Sequence, residues 1–309
     1  MKKLFINIVV IIILAILFEL TCFFIWCHKN GRQLDLQNEM AVERKFEYNL
    51  PSDYLSSYFT DGFKNYTYPD NNKRPILLLG CSYARGIGIN EEKGLDYLLY
   101  KNSHRDVYKR AFPGGGIHLA LDLFQTGYMQ KDVPDAEYII FVYVNWNLIR
   151  LYEHQLDFLS TEINQRYELQ KNGQLKKIKK PIFPFCYSLF SVKLLQRQID
   201  NYRAQNEYTN YRLFNAVMKE LKKETDKAYK NSKFVILLYP SSDYMGTNKE
   251  LMEQEEMQKL TDEGFIVINA EDLTDKPIRE AEYRQGDKNH PKKKAWEAIT
   301  PGLIKVLNL

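Results

Sequence analysis

Ser82 and the pair Asp287 and His290 are the residues whose types and spacing suit covalent catalysis. An apolar run ends in Gly80-Cys81-Ser82-Tyr83-Ala84-Arg85-Gly86, so a serine stands on the turn leaving a buried strand. Glycines on either side relieve backbone crowding, and the hydroxyl can stand at the strand's carboxyl edge beside N–H groups free to bind an oxyanion. Taken alone, a Gly-x-Ser turn is commonly only a turn, and a base must be found. Of the five histidines, His28, His104, His118 and His154 have no partner at a readable spacing. His290 differs, because it closes Asp287-Lys288-Asn289-His290 just before Pro291 and the last amphipathic stretch. A carboxylate three residues ahead can accept the Nδ1 proton and leave Nε2 to take the serine proton. The plainer reading of that segment is a helix-entry loop with Asp287 as turn former. Cys81 is expected to point away from Ser82 and pack in the core.

These side chains need strands and helices to hold them. Short continuous runs of Ile, Leu, Val, Phe and Tyr occur at Pro75 to Gly80, Asp106 to Phe112, Ala136 to Asn145, Lys233 to Tyr239 and Phe265 to Asn269. Such runs suit strands covered on both faces. Amphipathic stretches at 91–101, 117–130, 205–230, 247–262 and 292–307 alternate with them as helices. The alternation predicts an α/β fold with a doubly wound, parallel five-stranded sheet and the active groups at the carboxyl ends of its strands. Residues 150–204 break the rhythm as an insertion, in which Asn172-Gly173 predicts a two-residue hairpin turn.

At this point the chain resembles the SGNH hydrolase superfamily, also called the GDSL esterase/lipase group. Gly80-Cys81-Ser82 matches the first block, with Cys81 where many members carry aspartate, and Asp287 and His290 match the Asp-x-x-His of the last. The resemblance implies two further oxyanion donors: a glycine after the second strand, which selects Gly114 with Gly115 as the near alternative, and an asparagine after the third. Asn145 in Tyr143-Val144-Asn145-Trp146-Asn147 fits that place, with Asn147 as the alternative. Here Tyr143 and Trp146 replace the glycine and aspartate usual in that block. A strand-terminating turn with asparagine as a helix cap is the non-catalytic reading. The resemblance spans roughly 74–149 and 232–309.

The amino terminus carries a different signal. Lys2 and Lys3 precede Leu4 to Cys27, a run whose only ionisable side chain besides cysteines is Glu19. At about 1.5 Å per residue it reaches about 36 Å, enough for a hydrocarbon core of about 30 Å. No small-x-small cleavage site follows, and Leu20 and Thr21 do not suit lipidation of Cys22, so an uncleaved single-pass anchor over 1–29 is expected. A linker or strap over 30–73 and the catalytic domain over 74–309 follow. The expected location is the membrane, with the domain on the extracytoplasmic side.

A net charge of +4 from 43 basic and 39 acidic residues excludes a field strong enough for nucleic acid. It leaves an acidic polymer open as a partner and says nothing of oligomeric state. Four cysteines, two of them in the leader, are too few for a disulfide framework. Serine chemistry of this kind calls for no metal or cofactor. The insertion carries Tyr152, Phe158, Tyr167, Phe183, Phe185, Tyr187, Phe190 and Tyr202 with Lys176, Lys177, Lys179 and Lys180, rings and charges that could meet a sugar polymer. Arg85 and Arg150 lie near the first and third blocks as candidate anion contacts, against a plainer reading as solvated surface. The expected activity is removal of an acyl group, acetyl above all, from a cell-envelope glycan. Acyl transfer onto such a glycan and a non-catalytic scaffold on the same fold are the alternatives.

Overall fold

The computed structural model describes residues 10–25, 63–69, 71–86, 88–111, 115–151, 166–178, 191, 207–240, 248–285 and 290–309. The five apolar runs form β2 (Ile76–Gly80), β3 (Val107–Ala111), β4 (Tyr138–Tyr143), β7 (Lys233–Leu238) and β8 (Ile266–Asn269), mutually parallel. Their sheet holds a sixth strand, which corrects the expected count of five. β1 (Phe63–Tyr66) comes from the segment expected as linker and pairs antiparallel with β3, giving the order β1-β3-β2-β4-β7-β8.

Residues within one strand divide between two cores because successive side chains point to opposite faces. Leu77 and Leu79 of β2 join Ile139, Phe141, Phe234 and Ile236 on one face. Ile76 and Leu78 join Ile140, Val142, Val235 and Leu237 on the other.

The first face is covered by α3 (Ile117–Gln125), α4 (Tyr128–Asp132), α6 (Glu207–Ala228) and α7 (Asn248–Asp262). Tyr211, Phe214, Met218 and Leu221 recur at helical spacing along α6 and are fully enclosed. The stretch expected as one helix over 117–130 is two. Gly127, at φ 74°, takes a left-handed conformation that breaks it between α3 and α4.

The second face is covered by α2 (Leu95–Ser103) and α8 (Lys293–Leu307). Trp296, Ile299 and Leu303 of α8 are wholly buried there, and the Tyr138 hydroxyl donates to the Leu307 carbonyl at 2.7 Å to pin the helix end.

The insertion contributes the hairpin β5 (Arg166–Leu169) and β6 (Leu175–Ile178). Its turn differs from expectation. The Gln170 amide donates to the Gln174 carbonyl at 2.9 Å, so three residues, Lys171, Asn172 and Gly173, make the loop, with Gly173 at φ 80°. Tyr167 lies buried, and its hydroxyl donates to Asp122 at 2.5 Å while Lys177 pairs with the same carboxylate at 2.9 Å. Burial, and then Asp122, hold the Tyr167 phenol above its ordinary range. The other aromatic residues named in the insertion lie outside the described residues, as does the strap from 30 to 62.

Of the apolar leader, residues 10–25 are described as a helix whose Val10, Ile11, Leu14, Phe18 and Phe24 are exposed. Among the described residues no helix is long and apolar enough to cross a membrane. Glu19 accepts from the Ser191 amide at 3.3 Å.

Candidate active site

Ser82 opens α1 (Ser82–Arg85), a single helical turn directly after β2. Gly80 makes that exit feasible. At φ 153° it takes a backbone conformation L side chains rarely adopt, and a Cβ there would stand 2.7 Å from the Ala84 Cβ and 3.3 Å from the Val142 carbonyl. The Gly86 amide closes the turn on the Ser82 carbonyl at 3.1 Å. Cys81 is wholly buried among the residues of the second face, as its place beside Ser82 predicted.

The strand order puts this turn at a crossover. β2 lies between β3 and β4, so the chain leaves β2 toward one neighbour and later returns on its other side. The carboxyl end of such a strand is the usual place for a ligand crevice in an open parallel sheet. In the parallel register, Gly80 aligns with Ala111 and with Val142. Ser82, Gly114 and Asn145 therefore follow three aligned residues by two or three positions each.

His290 reaches the same edge from the far end of the sequence. Its Nε2 lies 2.9 Å from the Ser82 Oγ. The backbone around it is held by a short antiparallel clasp: Gln285 N–H donates to the His290 carbonyl at 2.8 Å, Lys292 N–H to the Tyr283 carbonyl at 2.7 Å, and Gln285 Nε2 to the Pro291 carbonyl at 2.9 Å. Residues 286–289, with Asp287 among them, lie outside the described residues. Glu282 bonds Lys294, tying the approach to the clasp onto α8. That hydrogen bond above all holds the Glu282 carboxyl below its ordinary range.

The two asparagines part company. Asn147 is wholly buried in α5 (Trp146–Arg150), and its Oδ1 accepts from the Val144 amide at 2.9 Å, a bond that shapes the turn after β4. Asn145 begins that turn, its carbonyl accepting from the Leu148 amide at 3.0 Å, while its side-chain Oδ1 has no hydrogen-bond partner among the described residues. Gly114 falls outside the described residues. Gly115, the alternative, is fixed by its carbonyl, which accepts from Arg150 Nη1 at 3.1 Å. Arg150 thus holds the loop between β3 and α3. The Arg85 carbonyl accepts from Lys109 Nζ at 3.3 Å, and Lys109 pairs with Asp96 at 2.6 Å, both side chains nearly without exposure.

Tyr83 went unnoticed in the sequence. It is buried, its ring centroid is 5.1 Å from that of His290 at an interplanar angle of 39°, and it meets Tyr239 edge-on at 5.3 Å. Tyr239 in turn packs 5.4 Å from Trp296. Burial above all holds the Tyr239 phenol well above its ordinary range, with Arg284 opposing. Adjacency to Ser82 on a helical turn was the available signal, and residue type alone did not distinguish it from core.

No protein-family model matches the chain, and no curated protein matches it. Solved structures similar to it include a member of the lipolytic G-D-S-L family from Veillonella parvula DSM 2008, at 12% identity over 76% of this chain and 99% of that one, with a TM-score of 0.44. A carbohydrate esterase family 2 enzyme with a carbohydrate-binding domain from Corynascus thermopiles (Myceliophthora fergusii) is 12% identical over 79% of this chain and 69% of that one, at 0.46. An acetyl xylan esterase from the rumen bacterium Butyrivibrio proteoclasticus is 13% identical over 78% and 65%, at 0.42. Within this chain, the order of the parallel strands and the Ser82–His290 pair at their carboxyl edge bring a serine hydroxyl and an imidazole together.

Proposed function

We propose that the protein is an SGNH-type serine hydrolase or acyltransferase that works through an acyl-enzyme, with ester hydrolysis as its activity. The observation that carries this reading is the 2.9 Å approach of His290 Nε2 to Ser82 Oγ on the turn after the central strand. That distance lies within the range in which a base can take the proton of a nucleophile. In the reaction, Ser82 Oγ bonds to the ester carbonyl carbon as its proton passes to His290 Nε2. The tetrahedral oxyanion is met by the Ser82 and Gly114 amides and the Asn145 side-chain amide. The imidazolium then gives the proton to the departing alcohol as the ester C–O bond breaks. Water repeats the sequence on the acyl-enzyme and frees the acid. Asp287 serves by accepting the Nδ1 proton of His290 and fixing the tautomer.

The substrate in this reading is an O-acylated, above all O-acetylated, glycan of the cell envelope, met by a domain tethered outside the membrane by its leader. The exposed apolar face of the helix over 10–25 supports the tether. The test is acetate release. The full chain should free acetate from an O-acetylated envelope polysaccharide and from p-nitrophenyl acetate, and Ser82→Ala should free none. Turnover of the small ester without release from the polysaccharide would keep the chemistry and remove the glycan. Acyl transfer would show as acetate retained on an added glycan acceptor in place of free acid.

A further inference from the structure

Tyr83 is the one aromatic residue whose ring packs on His290 among the described residues, and its position has a consequence for the transition state. We propose that Tyr83 is a positioning residue whose ring face holds the imidazole toward Ser82 and stabilises it selectively once it is protonated. The inference rests on the role of His290 as base. A cation within about 6 Å of a tyrosine centroid is attracted by the negative face of the ring, and this separation is 5.1 Å. Neutral imidazole has only packing to gain there. Imidazolium, formed as Ser82 attacks, gains the electrostatic term as well, and an interaction stronger in the transition state than in the ground state raises turnover.

The geometry is held from behind. Tyr83 is 7% exposed, in a T-shaped contact with Tyr239, which itself packs against Trp296, so the ring is backed on the side away from solvent. The groups that surround His290 divide by charge. From α1 come the Ser82 hydroxyl and the Tyr83 ring. Among the described residues, Arg284 and Lys292 flank His290 in sequence, and the Arg284 guanidinium donates to the Pro240 carbonyl at 3.3 Å. Beyond them, Tyr239 is neutral. Tyr83 therefore supplies the aromatic surface against the imidazole.

The test pairs kinetics with titration of the imidazole in the full chain. Tyr83→Leu should lower kcat by about twofold to thirtyfold with KM little changed, and Tyr83→Phe, which keeps the ring, should recover most of it. By NMR, the His290 midpoint should fall by about half a pH unit to one and a half in Tyr83→Leu and stay near the parent value in Tyr83→Phe. Tyr83→Met takes the place of the leucine variant should that fail to fold. A midpoint unchanged on removal of the ring, or a phenylalanine variant as impaired as the leucine one, would overturn the proposal. The titration needs no turnover, so an inactive parent protein would remove the hydrolase reading while the imidazole midpoints still decide this one.

Discussion

At the scale of single residues, Asn145 and Asn147 show how two identical side chains two positions apart acquire different tasks. Asn147 Oδ1 is occupied by the Val144 amide in a fully buried turn. Asn147→Ala should leave that amide unsatisfied and cost about 1 to 3 kcal/mol in urea unfolding. Asn145→Ala should instead leave the unfolding midpoint nearly unchanged and lower kcat by roughly a hundredfold to a thousandfold, the cost of one oxyanion donor. A reversal of the two phenotypes would move the donor to Asn147. Sequence position selected Asn145 with Asn147 as the alternative, and what separates them in the structure is the bond from the Val144 amide to the Asn147 Oδ1. Ser82 and His290 were legible because each stood beside a recognisable break in an apolar pattern. Tyr83 was not, because an aromatic residue next to a buried strand is ordinary core material.

At the scale of elements, the parallel strands were legible because strands buried on both faces read as unbroken apolar runs. β1 escaped because its four residues, Phe63, Lys64, Asn65 and Tyr66, hold two adjacent polar side chains and make no apolar run at a sheet edge. β3 hid its charges: Lys109 and Arg110 are buried in it, and their partners Asp96 and Asp132 come from helices α2 and α4. The exit from β2 depends on Gly80. Gly80→Ala should destabilise the fold by about 2 kcal/mol or more, from the unfavourable φ and the contact with Ala84, and lower turnover with it. A variant with parent stability in urea would contradict this account of the turn. The hairpin hangs on Asp122, which has no exposure, while Lys177 is 34% exposed. Lys177→Met should therefore cost about 2 kcal/mol, below the ~3–5 kcal/mol of fully buried pairs, since solvent screens part of the attraction. Salt titration of that difference is the check.

At the scale of the whole molecule, the site is assembled from residues more than two hundred positions apart, and α8 makes this work. It closes one face of the sheet with Trp296, Ile299 and Leu303, and it anchors the clasp that carries His290 through the Glu282–Lys294 bond. Trp296→Ala should cost about 3 to 5 kcal/mol, read as a lower urea midpoint. The fold class followed from the alternation of runs and helices. The order of the strands, with β2 between β3 and β4, shows only in three dimensions. That order brings the serine turn and the asparagine turn to one edge.

The central claim is that Ser82 is a nucleophile activated by His290, and covalent capture tests it most directly. After treatment of the folded full chain with a fluorophosphonate, peptide mapping should find a single adduct on Ser82, strongly reduced in His290→Ala and absent in Ser82→Ala. Folded protein that carries no adduct on Ser82, or carries it on another residue with Ser82 untouched, would contradict the account.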